Sequence, residues 1–336
     1  MKVGILGGGI AGLQVATELG THHDVTILEA DVRAGGLCRS HTFEGLDYDV
    51  GPHIFFSKNQ AVLDYVKKIG ADFMLQHTRS NQIWYKGALI KYPFENYLGL
   101  LPREERDYCL DTFLNNPYAD YAGENMLQFF LSRFGAGITN TYLGPYNRKI
   151  WKYDPAFLDL QMVSRIPHPP KEDVIAGAKG NPKEGYTHQI HFYYPKSGGS
   201  QRLTDRIIAL LPKRVSLRTS EPVMSVAPGP NPRVGTAVGE YEFDQIINCL
   251  PLHTLFPALQ ADVPEDVANA LGRLKYNSLY YGLIVFKDDQ AGANFSFNFP
   301  QPELTMHRVS KVNFLGDNAN VKNTGFLYEV TFRENT

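Results

Sequence analysis

The chain has 336 residues, too many for one minimal core and enough for two domains. It is 43% hydrophobic and 20% charged, ordinary for a globular protein, and its formal net charge of −2 gives no electrostatic case for nucleic acid or an anionic membrane. No apolar run approaches the roughly 18 residues that span a bilayer, the opening MKVGILGGGIAG lacks a signal-peptide layout, and three scattered cysteines (Cys38, Cys109, Cys249) suit neither a disulfide framework nor a metal site, so a cytoplasmic, metal-free protein is expected.

In chain order, Val3–Leu6 reads as a buried strand ended by glycines, Gly9 to Leu19 as a helix, and DVTILEA (24–30) as a second buried strand. Such a β-α-β unit requires a right-handed crossover and a parallel pair. QAVLDYVKKIG (60–70) reads as a helix stopping at Gly70, and NQIWYKGALIKYPF (81–94) as two strands turning at Lys86-Gly87. Helical patterns dominate 98–165. Asp154-Pro155 sets a helix start there, with Phe157, Leu158, Met162 and Ile166 at helical spacing. The Pro- and Gly-rich stretch 166–185 reads as a loop. HFYYPKSGGSQRLTDRIIALL (191–211) reads as strand, turn and helix, and EPVMSV (221–226) and YEFDQIINCLP (241–251) read as strands. LYYGLIVF (279–286) and GFLYEVTF (325–332) alternate as strands of an antiparallel sheet do.

Gly7, Gly9 and Gly12 form a GxGxxG pattern between the first strand and helix. Glycines there close the turn and bring backbone N–H groups near a pyrophosphate, and the helix N-terminus favours the anion. Glu29 ends the second strand, about twenty positions on, where a carboxylate takes ribose hydroxyls. The following EADVRAGGLCRS (29–40) adds Arg33, Gly35, Gly36 and Arg39: glycines for close backbone approach, arginines for an anion or for solvent.

With Glu29, Arg33, Gly35 and Gly36 in an E-x-x-x-R-x-G-G pattern, the chain resembles the flavin-containing amine oxidase, protoporphyrinogen oxidase and phytoene desaturase group. The resemblance extends through YPKSGGSQRLTDRI, SEPVMSV and YEFDQIINCLP to about residue 286. It implies an α/β fold: a Rossmann-like FAD-binding domain (1–58 plus 191–250) interleaved with a mostly helical cap (59–190) and an antiparallel-sheet substrate region (251–336). FAD is the implied cofactor, contacted by Gly7, Gly9, Gly12, Glu29, Arg33, Gly35, Gly36, Arg39, Gly51, Pro52 and His53, with Val223 presenting its backbone to the adenine. These proteins return to the FAD domain with a last strand and helix. Here the sequence stops within the substrate sheet, so FAD is expected to be held mainly through its ADP half.

Local segments look closer to UDP-galactopyranose mutases: GPHIFFS (51–57), YNRKIW (146–151), Arg165 in SRIP, and EGYT (184–187). That resemblance implies a substrate site at Tyr92, Tyr146, Trp151, Arg165 and Asn277, with His53 and Arg165 as the catalytic candidates. Two positions depart from the mutase pattern. Phe56 stands where it has a second histidine, and Asn277 where it has a second diphosphate arginine, a loss of about 1.5–3 kcal/mol of charge-assisted pairing. The leading expectation is therefore an FAD-dependent oxidoreductase acting on a small molecule, an amine or a porphyrinogen-like compound. The alternatives are a nucleotide-sugar mutase using reduced flavin and a non-catalytic nucleotide-binding remnant.

Overall fold

The computed structural model describes residues 1–163, 166, 169–184 and 190–333. Strand Lys2–Leu6, helix Ile10–Leu19 and strand Asp24–Leu28 form the expected β-α-β unit, with the two strands parallel in register from Lys2↔Asp24 to Leu6↔Leu28. Strand Val215–Arg218 adds to one side and Gln245–Asn248 to the other, giving a four-stranded parallel sheet. Such strands are covered on both faces, so they read as continuous apolar runs. Ile5 and Ile27 are buried with Leu13 and Ala16 of the first helix and Leu203 and Ile207 of helix Gln201–Ala209. The opposite face buries Leu6 and Leu28 against Val226, Val234 and Phe243, from a three-stranded meander over 223–242 and the turn that follows it.

A second, larger sheet has six strands. Its order is Asn277–Phe286, Thr324–Arg333, Arg308–Lys311, Ser296–Asn298, Asn81–Tyr85 and Ala88–Lys91. The two long strands pair antiparallel over ten residues, as their alternation predicts, and Ser296–Asn298 meets Asn81–Tyr85 in parallel. The hairpin at Lys86-Gly87 thus joins strands more than two hundred residues away in sequence. Helices Arg103–Leu114, Met126–Ile138 and Gly144–Trp151 lie over this sheet around a core that includes Phe94, Phe130, Phe134, Ile138 and Tyr142.

Three expectations need correction. YEFDQIINCLP is not one strand: its start belongs to Gly239–Glu242 of the meander and its middle to Gln245–Asn248 of the parallel sheet. The region 166–185 contains a helix, Lys171–Ala178, with Glu172 and Asp173 in its first turn. Its Pro170 is the cap and not a breaker, and its Gly177 serves close packing: a Cβ there would lie 2.0 Å from the Asn96 carbonyl oxygen. Conversely, Asp154-Pro155 starts only a short 3-10 turn, Pro155–Phe157, followed by another at Leu160–Val163. Asp154 does cap it, accepting the Ala156 N–H at 2.9 Å, but among the described residues up to Ile166 only these short turns follow.

Candidate active site

The glycine turn has the geometry its pattern predicts. Gly7 has φ +98°, and its N–H donates to the Leu28 carbonyl at 2.8 Å. Gly9 caps the first helix, and a Cβ on Gly12 would sit 2.0 Å from the Gly7 carbonyl oxygen. Gly9 bridges Gly35, whose N–H donates to the Gly8 carbonyl at 2.9 Å. Gly36 has φ +58°, and a Cβ on it would lie 3.1 Å from the Gly9 Cα. Two stretches of bare main chain therefore face each other at a helix N-terminus. Glu29 closes the cradle, accepting the N–H groups of Gly8 at 2.7 Å and Asp31 at 2.9 Å. Bare backbone at a helix start beside a strand-end carboxylate is what the ADP half of a dinucleotide requires, so the residues present fit FAD. Val223 opens its strand two residues after Glu221, whose N–H donates to the Glu29 carbonyl at 2.9 Å.

The two arginines differ. Arg33 lies on the surface in an ion pair with Asp205 at 3.3 Å, both side chains about half exposed. Arg39 holds the loop itself, donating Nε to the Gly36 carbonyl at 2.8 Å and Nη1 to Asp31.

Asp49 is a buried carboxylate that the sequence reading missed. Its Oδ1 accepts from the Ser40 hydroxyl at 2.6 Å and the Ser200 N–H at 2.9 Å; its Oδ2 accepts from the Tyr194 hydroxyl at 2.9 Å and the His53 N–H at 3.3 Å. One side chain thus ties the arginine-glycine loop, the 198–201 turn and the GPH loop together. His53 itself keeps a buried Nδ1 with no hydrogen-bond partner. Gly51 has φ +76°, and a Cβ there would lie 3.2 Å from Glu329 Oε1 and 3.3 Å from Leu279. The Gly51–His53 loop therefore abuts the six-stranded sheet.

On that sheet Arg308 grips Glu329 through two bonds, Nε to Oε2 at 2.5 Å and Nη2 to Oε1 at 2.7 Å. Burial works against the Arg308 charge, but the Glu329 carboxylate outweighs it and leaves the guanidinium pKa above its ordinary value. Nearby, the Arg79 guanidinium lies 5.1 Å from the centroid of the Phe56 ring, so Phe56 presents a face to a cation. Burial and the Glu95 charge push the Tyr92 hydroxyl up to about 12, the Arg79 charge opposing. Burial also raises Tyr146, whose ring stacks on Tyr142 at 5.3 Å. Both phenols are neutral donors at ordinary pH.

Trp151 ends the cap helix, its indole N–H donating to Asn147 at 3.1 Å and its carbonyl accepting the Asn277 amide at 2.6 Å. Asn277 thus fastens strand to cap. Arg165, and all of EGYT but Glu184, lie outside the described residues. Among the described residues no cluster of His, Cys, Asp and Glu suits a metal, and no helix is long and apolar enough to cross a membrane.

The family model of the flavin-containing amine oxidoreductases matches residues 10–314. A solved structure of reduced UDP-galactopyranose mutase superposes with a TM-score of 0.88 at 22% identity, covering 99% of this chain and 75% of that one. Putrescine oxidase bound to putrescine gives 0.65 at 14% identity, covering 98% and 76%. In sequence, an L-amino-acid oxidase of Sistrurus catenatus edwardsii is 35% identical over 85 residues, 25% of this chain but only 16% of that oxidase. At these identities the structural likenesses are likenesses of fold.

Proposed function

This chain belongs to the flavin-containing amine oxidoreductase family, whose cofactor is FAD, and we propose that it is a cytoplasmic oxidoreductase acting on a small-molecule substrate, an amine or a porphyrinogen-like compound. The observation that carries this reading is the main-chain cradle of Gly9 against Gly36, closed by Glu29 and tied through Asp49 to the Gly51–His53 loop. In this reading the segments 1–58 and 191–250 hold the cofactor, 59–190 forms the mostly helical cap and lends the hairpin 81–91 to the substrate side, and 251–336 faces the substrate. FAD, when bound, supplies hydride acceptance at its N5. The chain supplies placement. Backbone N–H groups at the helix start hold the pyrophosphate, and Glu29 takes the ribose. Gly51 would let the main chain lie close to the ring, and His53, whose Nδ1 has no hydrogen-bond partner among the described residues, would supply a polar group there. Tyr92 and Tyr146, neutral and partly buried, orient substrate without offering a base.

A redox-neutral reading, a nucleotide-sugar mutase, draws on the fold likeness and on the Tyr146–Trp151 helix. Against it stands Asn277, which is uncharged and already bonded to the Trp151 carbonyl. The test begins with the visible spectrum of the purified protein and its extracted flavin. Oxygen or quinone consumption with amines or porphyrinogens supports oxidation. Turnover of UDP-galactofuranose only after dithionite reduction supports the mutase. A colourless protein that binds neither added FAD nor UDP at millimolar concentration overturns both.

A further inference from the structure

Strand Thr324–Arg333 is buried at Thr324 and Gly325 and then alternates, with Leu327, Glu329 and Thr331 facing inward. A carboxylate at an inward position is exceptional, because an isolated buried charge is strongly disfavoured. Glu329 is 2% exposed, yet both oxygens are occupied by Arg308 from the neighbouring strand, where the two residues are direct register partners. The Arg308 side chain is 36% exposed, so the pair has a solvent-accessible cationic partner and a buried anionic one. The carboxylate lies under Gly51, close enough that a Cβ at that position would touch it. The pair therefore sits where the Gly51–Phe56 loop meets the substrate sheet.

We propose that Glu329 sets the charge selectivity of this site: by clamping Arg308 it withholds that guanidinium from anions, so the site accepts a neutral or amine substrate and discriminates against a diphosphate. The inference deepens the oxidoreductase reading above and rests on it for the placement of the Gly51–Phe56 loop beside the flavin. The physical argument is competition. The carboxylate holds Nε and Nη2 in bidentate geometry, the strongest arrangement an arginine makes. An incoming diphosphate must either displace Glu329, leaving a buried carboxylate uncompensated, or approach a neutral pair whose inner partner repels it. Arg79, a second cation near this pair, is packed over the rings of Phe56, at 5.1 Å, and Phe192, at 6.0 Å. Specificity of this kind rests on a repulsive element as much as on an attractive one.

The experiment is calorimetric titration of UDP, with uridine as the uncharged control, into FAD-saturated protein. The wild type is expected to bind UDP within threefold of uridine. Glu329→Gln frees Arg308 and is expected to tighten UDP at least tenfold without moving uridine. Adding Arg308→Gln to that variant is expected to abolish the gain. A wild type that prefers UDP tenfold or more, or a folded Glu329→Gln variant that gains nothing, overturns the proposal. Should Glu329→Gln alone fail to fold, the charge-neutral double variant still decides. UDP affinity within threefold of wild type supports the clamp, and a tenfold loss overturns it by showing that Arg308 binds anions in the native site. Flavin absorbance in the same samples separates the two failures. A protein that never takes up FAD counts against the oxidoreductase reading, whereas a yellow protein with Arg308-dependent UDP binding counts only against the clamp.

Discussion

The cradle at Gly7–Gly12 and Gly35–Gly36 is made of main chain, whereas the facing wall at Arg79, Tyr92, Tyr146, Arg308 and Glu329 is made of side chains drawn from distant strands and helices. The two tolerate change differently. Main-chain sites depend on the absence of a Cβ and on local turns, so their requirements are written in a short contiguous pattern. Side-chain walls depend on which strand pairs with which, so their requirements are scattered through the sequence. Asp49 joins them, bonding to Ser40 and Ser200 on the cradle side and to the His53 N–H on the other.

The largest expected effect is therefore at that joint. Asp49→Ala leaves four donors without their acceptor, two of them in buried surroundings, and is expected to lower stability by about 4 kcal/mol, since each unsatisfied buried donor costs about 1–3 kcal/mol. Thermal unfolding with and without FAD measures it, and the FAD-induced rise in Tm should shrink as well. A loss below about 1 kcal/mol would mean that the two walls are assembled independently. Next is Gly12→Ala, whose Cβ has 2.0 Å where it needs more than 3 Å. The helix start must shift away from the Gly7 turn, and FAD affinity is expected to fall about a hundredfold, near 3 kcal/mol by the usual conversion. Flavin fluorescence on a variant shown folded by circular dichroism checks this. A main-chain cradle indifferent to that methyl group would break the comparison.

The side-chain wall titrates, and the main chain does not. His307 is 5% exposed beside Arg308, and its N–H donates to the Glu329 carbonyl at 3.0 Å. Burial pushes its pKa down to about 4, with Arg308, Lys149 and Lys152 adding to the fall and Glu329 opposing it. In the unfolded chain it takes up a proton near 6.5. Between these values the unfolded state binds more protons, so the stability present above pH 6.5 is lost as the pH falls toward 4. The expected sum is about 3 kcal/mol. His307→Gln should flatten the dependence of Tm on pH across that window, and an unchanged slope would remove His307 from the account.

The same division explains what was legible. The GxGxxG turn, Glu29 and the Gly35-Gly36 loop were readable because each is local and each needs a particular residue type. Asp49 sat in plain view before GPH, but its partners Tyr194 and Ser200 lie about 150 residues away, and no local pattern announces them. Glu329 carried a readable signal, a charge at an inward position of an alternating strand. Its meaning depended on Arg308 being its register partner, which only the strand order reveals. The helix Lys171–Ala178 was hidden by its own flanking prolines and by a glycine used for close packing. The helix expected after Asp154 failed because a good cap does not supply an apolar face: Phe157 is 64% exposed.

The smallest expected effect lies at His53, on the loop between the two walls. Its backbone is fixed by Asp49, but its ring makes no hydrogen bond among the described residues, and its buried Nδ1 has no partner. A residue whose main chain is structural and whose side chain is idle in the unliganded fold should separate activity from stability on truncation. His53→Ala is expected to lower substrate turnover about tenfold, near 1.4 kcal/mol in the barrier, while changing stability by less than about 1 kcal/mol. His53→Gln, which restores a donor and an acceptor at similar reach, should recover part of the loss. Steady-state kinetics and thermal unfolding on the same preparations decide between the roles. Parallel losses in both would make the histidine a piece of the loop, and a turnover loss at unchanged Tm would make it a group that meets the flavin or the substrate.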